Sequence, residues 1–107
     1  WARQLADATA QIIAQGKNDT EEYIREKSGL YHVAGGGSCS RFEWAKSILD
    51  LDPHKEEQVV QELVPVKSCE FPTMAKRPAI TVLNCTLFES NFNLSLPNWK
   101  KTLHLIV

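Results

Sequence analysis

Residues 29 to 45 read GLYHVAGGGSCSRFEWA: an apolar segment from Leu30 to Val33, three consecutive glycines, and a helix start at Ser40. A strand, a glycine loop and a capped helix in that order is also how a phosphate-cradling unit is spelled, so the stretch admits two readings. A dinucleotide loop requires G-x-G-x-x-G with an acidic residue beyond the next strand, and a P-loop requires G-K-[ST]. Neither pattern is present, and no glycine follows Gly37. Read from its residues, Gly35-Gly36-Gly37 is a tight turn feeding a helix, with direct ligand contact by the loop the weaker alternative.

Outward from this stretch, the helix signals are local. Leu5, Ala8, Thr9, Ile12 and Ile13 recur at helical spacing, and Gly16 stands where a left-handed residue would end that helix. Asn18 or Asp19 starts a short exposed helix with acidic residues first and Arg25 and Lys27 last. Ser40 and Glu43 form an S-x-x-E capping box, with Phe42, Ala45, Ile48 and Leu49 as the buried stripe to about Asp50. Asp52-Pro53 can start one more turn. Val59 to Val66 is β-branched and reads as a second strand. Pro65 to Pro78 holds three of the five prolines and reads as an extended surface loop. Asn84 caps a helix containing Leu87, Phe88 and Phe92, and Pro97 opens the last, with Trp99, Leu103 and Ile106 inward. The predicted fold class is α/β: one helix-rich domain over residues 1 to 107, with a short two-stranded parallel sheet joined by a right-handed crossover.

Composition limits function. With 107 residues, 43% hydrophobic, and 12 basic against 13 acidic residues, the chain has the makings of a globular domain and lacks the basic stripe of a nucleic-acid binder. No apolar run is long enough for a membrane span or a secretory leader, so a cytoplasmic protein is expected. Cys39, Cys69 and Cys85 are an odd number at wide spacing, which fits reduced thiols better than disulfides or a metal site. The N-x-S/T triplets at Asn18, Asn84 and Asn93 then read as chance. Tyr23 and Lys27 match Y-x-x-x-K, but on a polar helix with no cofactor fold before it. Trp1 rather than Met at the start, and the absence of any compositional break, suggest one unit cut from a longer chain.

The loop FPTMAKRPA, residues 71 to 79, sets Lys76 and Arg77 between prolines, where a guanidinium fork can meet phosphate oxygens. Together with GLYHVAGGGSCSRFEWAKSIL, AITVLNCTLFE and LPNWKKTLHLI, this order and spacing resembles the C-terminal part of the dTDP-4-dehydrorhamnose reductases, extended short-chain dehydrogenase/reductases. The likeness is strongest at Gly29-x-Tyr31-His32-x-x-Gly35, Ala75-x-Arg77-Pro78 and Leu96-Pro97-x-Trp99. Of the usual Leu-Asp or Leu-Asn, Leu83-Asn84 keeps the cap without the charge.

The resemblance implies a nucleotide-sugar substrate domain whose Rossmann half, absent here, binds NADPH and carries the catalytic Thr/Ser, Tyr and Lys. It implies that Arg77, with Lys76 beside it, contacts the substrate diphosphate. No catalytic, cofactor-binding or metal-binding residue is expected in this chain, and the chain alone is expected to be inactive. The missing half and the nucleotide sugar are the expected partners, nucleic acid and membrane are not, and an exposed apolar patch leaves a homodimer open. A non-catalytic regulatory subunit and a nucleotide-sugar epimerase of the same superfamily are the alternatives.

Overall fold

The computed structural model describes residues 1 to 106. Among them five α-helices succeed one another: α1 Ala2–Gln15, α2 Thr20–Glu26, α3 Arg41–Leu51, α4 Thr86–Phe92 and α5 Trp99–Leu103, with single 3-10 turns at Lys55–Glu57 and Ser68–Glu70. Their starts follow the capping chemistry. Asp19 accepts the Glu22 N–H at 3.0 Å at the head of α2. Ser40 Oγ accepts the Glu43 N–H at 3.1 Å, while Glu43 Oε2 accepts the Ser40 N–H at 2.7 Å, closing the capping box of α3. Asn84 Oδ1 accepts the Thr86 N–H at 3.0 Å one residue ahead of the formal cap, Cys85. The last helix is capped by Asn98, whose side chain accepts the Lys100 N–H, and not opened by Pro97.

Gly16 ends α1 without a left-handed backbone: its φ is -81°. Glycine is needed there for closeness, since a Cβ would lie 3.0 Å from Thr20 Cα and 3.1 Å from Tyr23 Cβ. That approach lets α2 fold back on α1. Phe88 and Phe92 from α4 then close over Ala8 of α1, with Ile12, Tyr23, Tyr31, Val33, Leu94 and Leu96 packed around them. Tyr31 meets Phe92 edge-on at 5.0 Å between ring centroids and Phe88 at 6.5 Å. Its hydroxyl donates to Lys27 O at 2.6 Å and accepts from Asn91 Nδ2 at 3.0 Å, so the phenol is satisfied as it packs.

The parallel sheet expected from Leu30–Val33 and Val59–Val66 does not form; among the described residues there is no strand, and one isolated parallel bridge joins Gly36 to Asn98. The reason is that β propensity needs a ladder partner about 4.8 Å away. Residues 59 to 66 lie on an arm that leaves the helices, with Val59 92% exposed, and the continuation of the 30–33 segment pairs instead with the approach to α5. The fold is thus all-helical with an extended arm. Its Cα radius of gyration is 18.5 Å, against about 13 Å for a compact chain of this length.

Candidate functional site

Two regions position the residues singled out above. The first is the glycine loop. Gly36 N–H donates to Pro97 O at 3.0 Å, and Trp99 N–H donates to Gly36 O at 2.9 Å, so the backbone of Gly36 is committed to a clasp with the head of α5. Gly37 has φ +79°, and a Cβ there would stand 2.6 Å from Asn98 Nδ2 and 3.2 Å from Trp99 Cδ1. The loop is a structural turn that binds α3 to α5, as its residues indicated. Gly37→Ala combines a left-handed backbone with displacement of the Asn98 cap. It should destabilise the intact protein by roughly 1–3 kcal/mol, measured by urea titration.

The head of α3 beside this loop is an acid-sensitive point. The Ser40 backbone N–H, and next its hydroxyl, hold the Glu43 carboxyl below its ordinary pKa. Asp52 is lowered likewise, first by the His54 backbone N–H and then by the Gln58 side chain. A carboxyl whose folded value is depressed stabilises fully above its unfolded value and loses that contribution as pH falls through the folded one. Thermal unfolding should therefore show a loss beginning below about pH 4.3 that is diminished in Glu43→Gln, whose amide oxygen still accepts the cap bond.

The second region is the arm between α3 and α4. Along it Val59, Val64, Val66, Phe71, Met74, Ile80 and Val82 are all exposed. Thr73 Oγ1 donates to Ala75 O at 2.9 Å, tightening the turn just before Lys76 and Arg77. Both cations are exposed, and no salt bridge among the described residues involves either. They stand next to each other on a proline-framed backbone. Among the described residues, no salt bridge joins either of them to another residue singled out in the sequence.

The remaining candidates resolve locally. Tyr23 donates to Gln15 Oε1 at 2.6 Å, and Lys27 is the C-cap of α2, so the Y-x-x-x-K pair is a helix-packing feature. Cys39, Cys69 and Cys85 are free thiols. His54, Glu56 and Glu57 could offer three ligand atoms within 4.8 Å of one another, all on exposed side chains of one turn. No helix of the described residues is long and apolar enough to cross a membrane.

What the helical spacing did not reveal is an open cavity of about 470 Å³ walled by Trp1, Leu5, Trp44, Leu96, Trp99 and Ile106. Trp99 and Ile106 were expected to face inward, and Trp44 carried no expectation. No local spacing signals it, since Trp1, Trp44 and Trp99 lie on segments that only the fold brings together.

Comparison with known proteins places these features in a family. A family model described as RmlD substrate binding domain matches residues 1–107. The dTDP-4-dehydrorhamnose reductase of Burkholderia thailandensis is 30% identical over 110 residues, covering 100% of this chain and 37% of that protein. The protein of the same name from Salmonella typhimurium is 35% identical over 101 residues, covering 92% of this chain and 32% of its own length. That from Escherichia coli strain K12 is 31% identical over 101 residues, with 92% and 32% covered. The chain thus spans about a third of the length of these relatives. No solved structure matches it. With the match running over every residue, the helical body and its exposed arm belong to the RmlD substrate binding domain family.

Proposed function

We propose that this chain is the nucleotide-sugar domain of an NADPH-dependent dTDP-4-dehydrorhamnose reductase, which reduces dTDP-4-keto-L-rhamnose to dTDP-L-rhamnose in the cytoplasm. The observation that carries the reading is the family match over the whole chain, made with relatives of that name. Free thiols throughout agree with a reducing compartment.

In this reading the arm supplies the substrate contacts. Arg77 holds the diphosphate through charge-assisted, two-pronged hydrogen bonds, and Lys76 adds a compact positive charge beside it. Pro78 restrains the backbone of Arg77, so engaging phosphate costs mainly side-chain rotamer freedom, and the planar guanidinium loses less of it per hydrogen bond formed. The cofactor belongs to the rest of the parent polypeptide, because the one glycine loop of this chain has spent its central amide on the α5 clasp and lacks a dinucleotide spacing. NADPH supplies the hydride; the residues of this chain bind and orient the sugar nucleotide and cover it from water.

The intact parent protein should oxidise NADPH only when the 4-keto sugar nucleotide is present, with one dTDP-L-rhamnose formed per NADPH consumed. Loss of cofactor absorbance with product analysis by chromatography checks this. An epimerised 4-keto product with no net NADPH consumption would replace the reductase reading.

A further inference from the structure

The turn that leads into Lys76 and Arg77 is held by one side chain. Residues 71 to 78 read FPTMAKRP, and all of them are exposed. Among the described residues no backbone–backbone hydrogen bond involves residues 72 to 78. Packing does not hold the segment either, with Phe71 71% and Met74 108% exposed. What closes it is the Thr73 hydroxyl, which reaches past Met74 and donates to Ala75 O at 2.9 Å. Water is an equal partner for an exposed hydroxyl, so a bond to the nearby backbone acts mainly by selecting one chain conformation.

That selection falls two residues ahead of Arg77. Fixing Ala75 O fixes the peptide plane from which Lys76 departs, and Pro78 keeps the Arg77 backbone out of the helical region. Lys76 is then the one residue between the closed turn and the restrained Arg77, so the direction in which the chain leaves the turn sets where the guanidinium starts. The 3-10 turn upstream is closed in the same local manner: the Lys67 N–H donates to Glu70 Oε2 at 2.6 Å, and the Phe71 N–H donates to Ser68 O at 3.3 Å. These bonds use no residue of the helical body, and the shape of the segment is set from within it.

We infer that Thr73 is the positioning residue of the diphosphate contact: its hydroxyl, bonded to Ala75 O, holds the arm in the conformation that presents Arg77 before the nucleotide sugar arrives. Thr73 acts through Arg77 and touches no substrate atom. The inference rests on the reading of Arg77 as the diphosphate ligand. A loop that populates its competent shape only part of the time binds with an affinity reduced by that fraction. The hydroxyl is therefore a determinant of KM for the sugar nucleotide and not of the chemical step.

Steady-state kinetics on the intact parent protein test it, with Thr73→Val, Thr73→Ser, Arg77→Ala and the double variant Thr73→Val/Arg77→Ala. Thr73→Val keeps the shape of the side chain without the donor and should raise KM for the nucleotide sugar roughly three- to tenfold, the range that one net hydrogen bond supplies. Thr73→Ser keeps the donor and should stay within about twofold of wild type. In Thr73→Val neither kcat nor the urea midpoint should move. In the Arg77→Ala background Thr73→Val should add nothing, because the group it positions is gone. A wild-type KM in Thr73→Val beside an impaired Arg77→Ala overturns the inference and leaves the diphosphate contact standing. A Thr73→Val loss that persists in the Arg77→Ala background, or one that comes with a lowered urea midpoint, also overturns it, since the hydroxyl then acts on the substrate or on the fold directly. A wild-type KM in Arg77→Ala is the separate failure of the underlying reading, and the inference falls with it.

Discussion

Arg77→Ala in the intact protein is expected to lower kcat/KM for the nucleotide sugar roughly ten- to a hundredfold, the equivalent of about 1.5–3 kcal/mol for a charge-assisted contact to phosphate. The basis is the position of Arg77 in Ala75-Lys76-Arg77-Pro78, on an exposed arm, without a salt bridge among the described residues. Contact with a remote diphosphate holds ground and transition states alike, so the loss should fall mainly on KM for the sugar nucleotide, with KM for NADPH unchanged. Arg77→Lys keeps the charge without the fork and should recover only part of the activity. Lys76→Ala should cost much less. Steady-state kinetics separate the cases: a wild-type KM in Arg77→Ala returns the residue to an ordinary solvated cation, and an equal loss in Lys76→Ala replaces a specific clamp with diffuse positive charge.

Phe92→Ala is expected to cost about 3–4 kcal/mol in urea titration of the intact protein. Phe92 is 6% exposed in a buried cluster with Ala8 and Phe88, and its ring meets both Tyr31 and Phe88 at 5.0 and 5.4 Å. Removing it takes away apolar burial and two aromatic contacts, and loosens the α4 end that Gln15 Nε2 holds through Phe92 O at 2.8 Å. Phe92→Leu keeps most of the volume and should recover more than half of the loss. A cost below about 1 kcal/mol for Phe92→Ala would mean that α4 is not anchored to α1 through this ring.

The same cluster shows how far the sequence reaches. Asp19, the Ser40–Glu43 box and Asn84 act within two or three residues of themselves, so their spacing identifies the starts of α2, α3 and α4. The S-x-x-E box also made the glycine loop legible as a turn into α3. For the site, the proline-framed loop and the A-x-R-P spacing were enough to single out Arg77 and Lys76, and the order of motifs along the whole chain was enough to indicate the family.

Tertiary structure alone decided what depends on partners distant in sequence. Whether Val59–Val66 becomes a strand depends on whether another segment pairs with it, and among the described residues none does. Gly16 looks like a C-terminal stop, yet its use is the 3.0 Å approach of Thr20, which becomes visible only when α2 has folded back. Gly36 and Gly37 look free to cradle a ligand until Pro97, Asn98 and Trp99 arrive from sixty residues away to occupy them. The three tryptophans, at positions 1, 44 and 99, meet around one cavity for the same reason. Caps and turns are interactions of a chain with its near neighbours and are written in local spacing; ladders, close packing and grooves are interactions between segments whose meeting only the folded chain specifies.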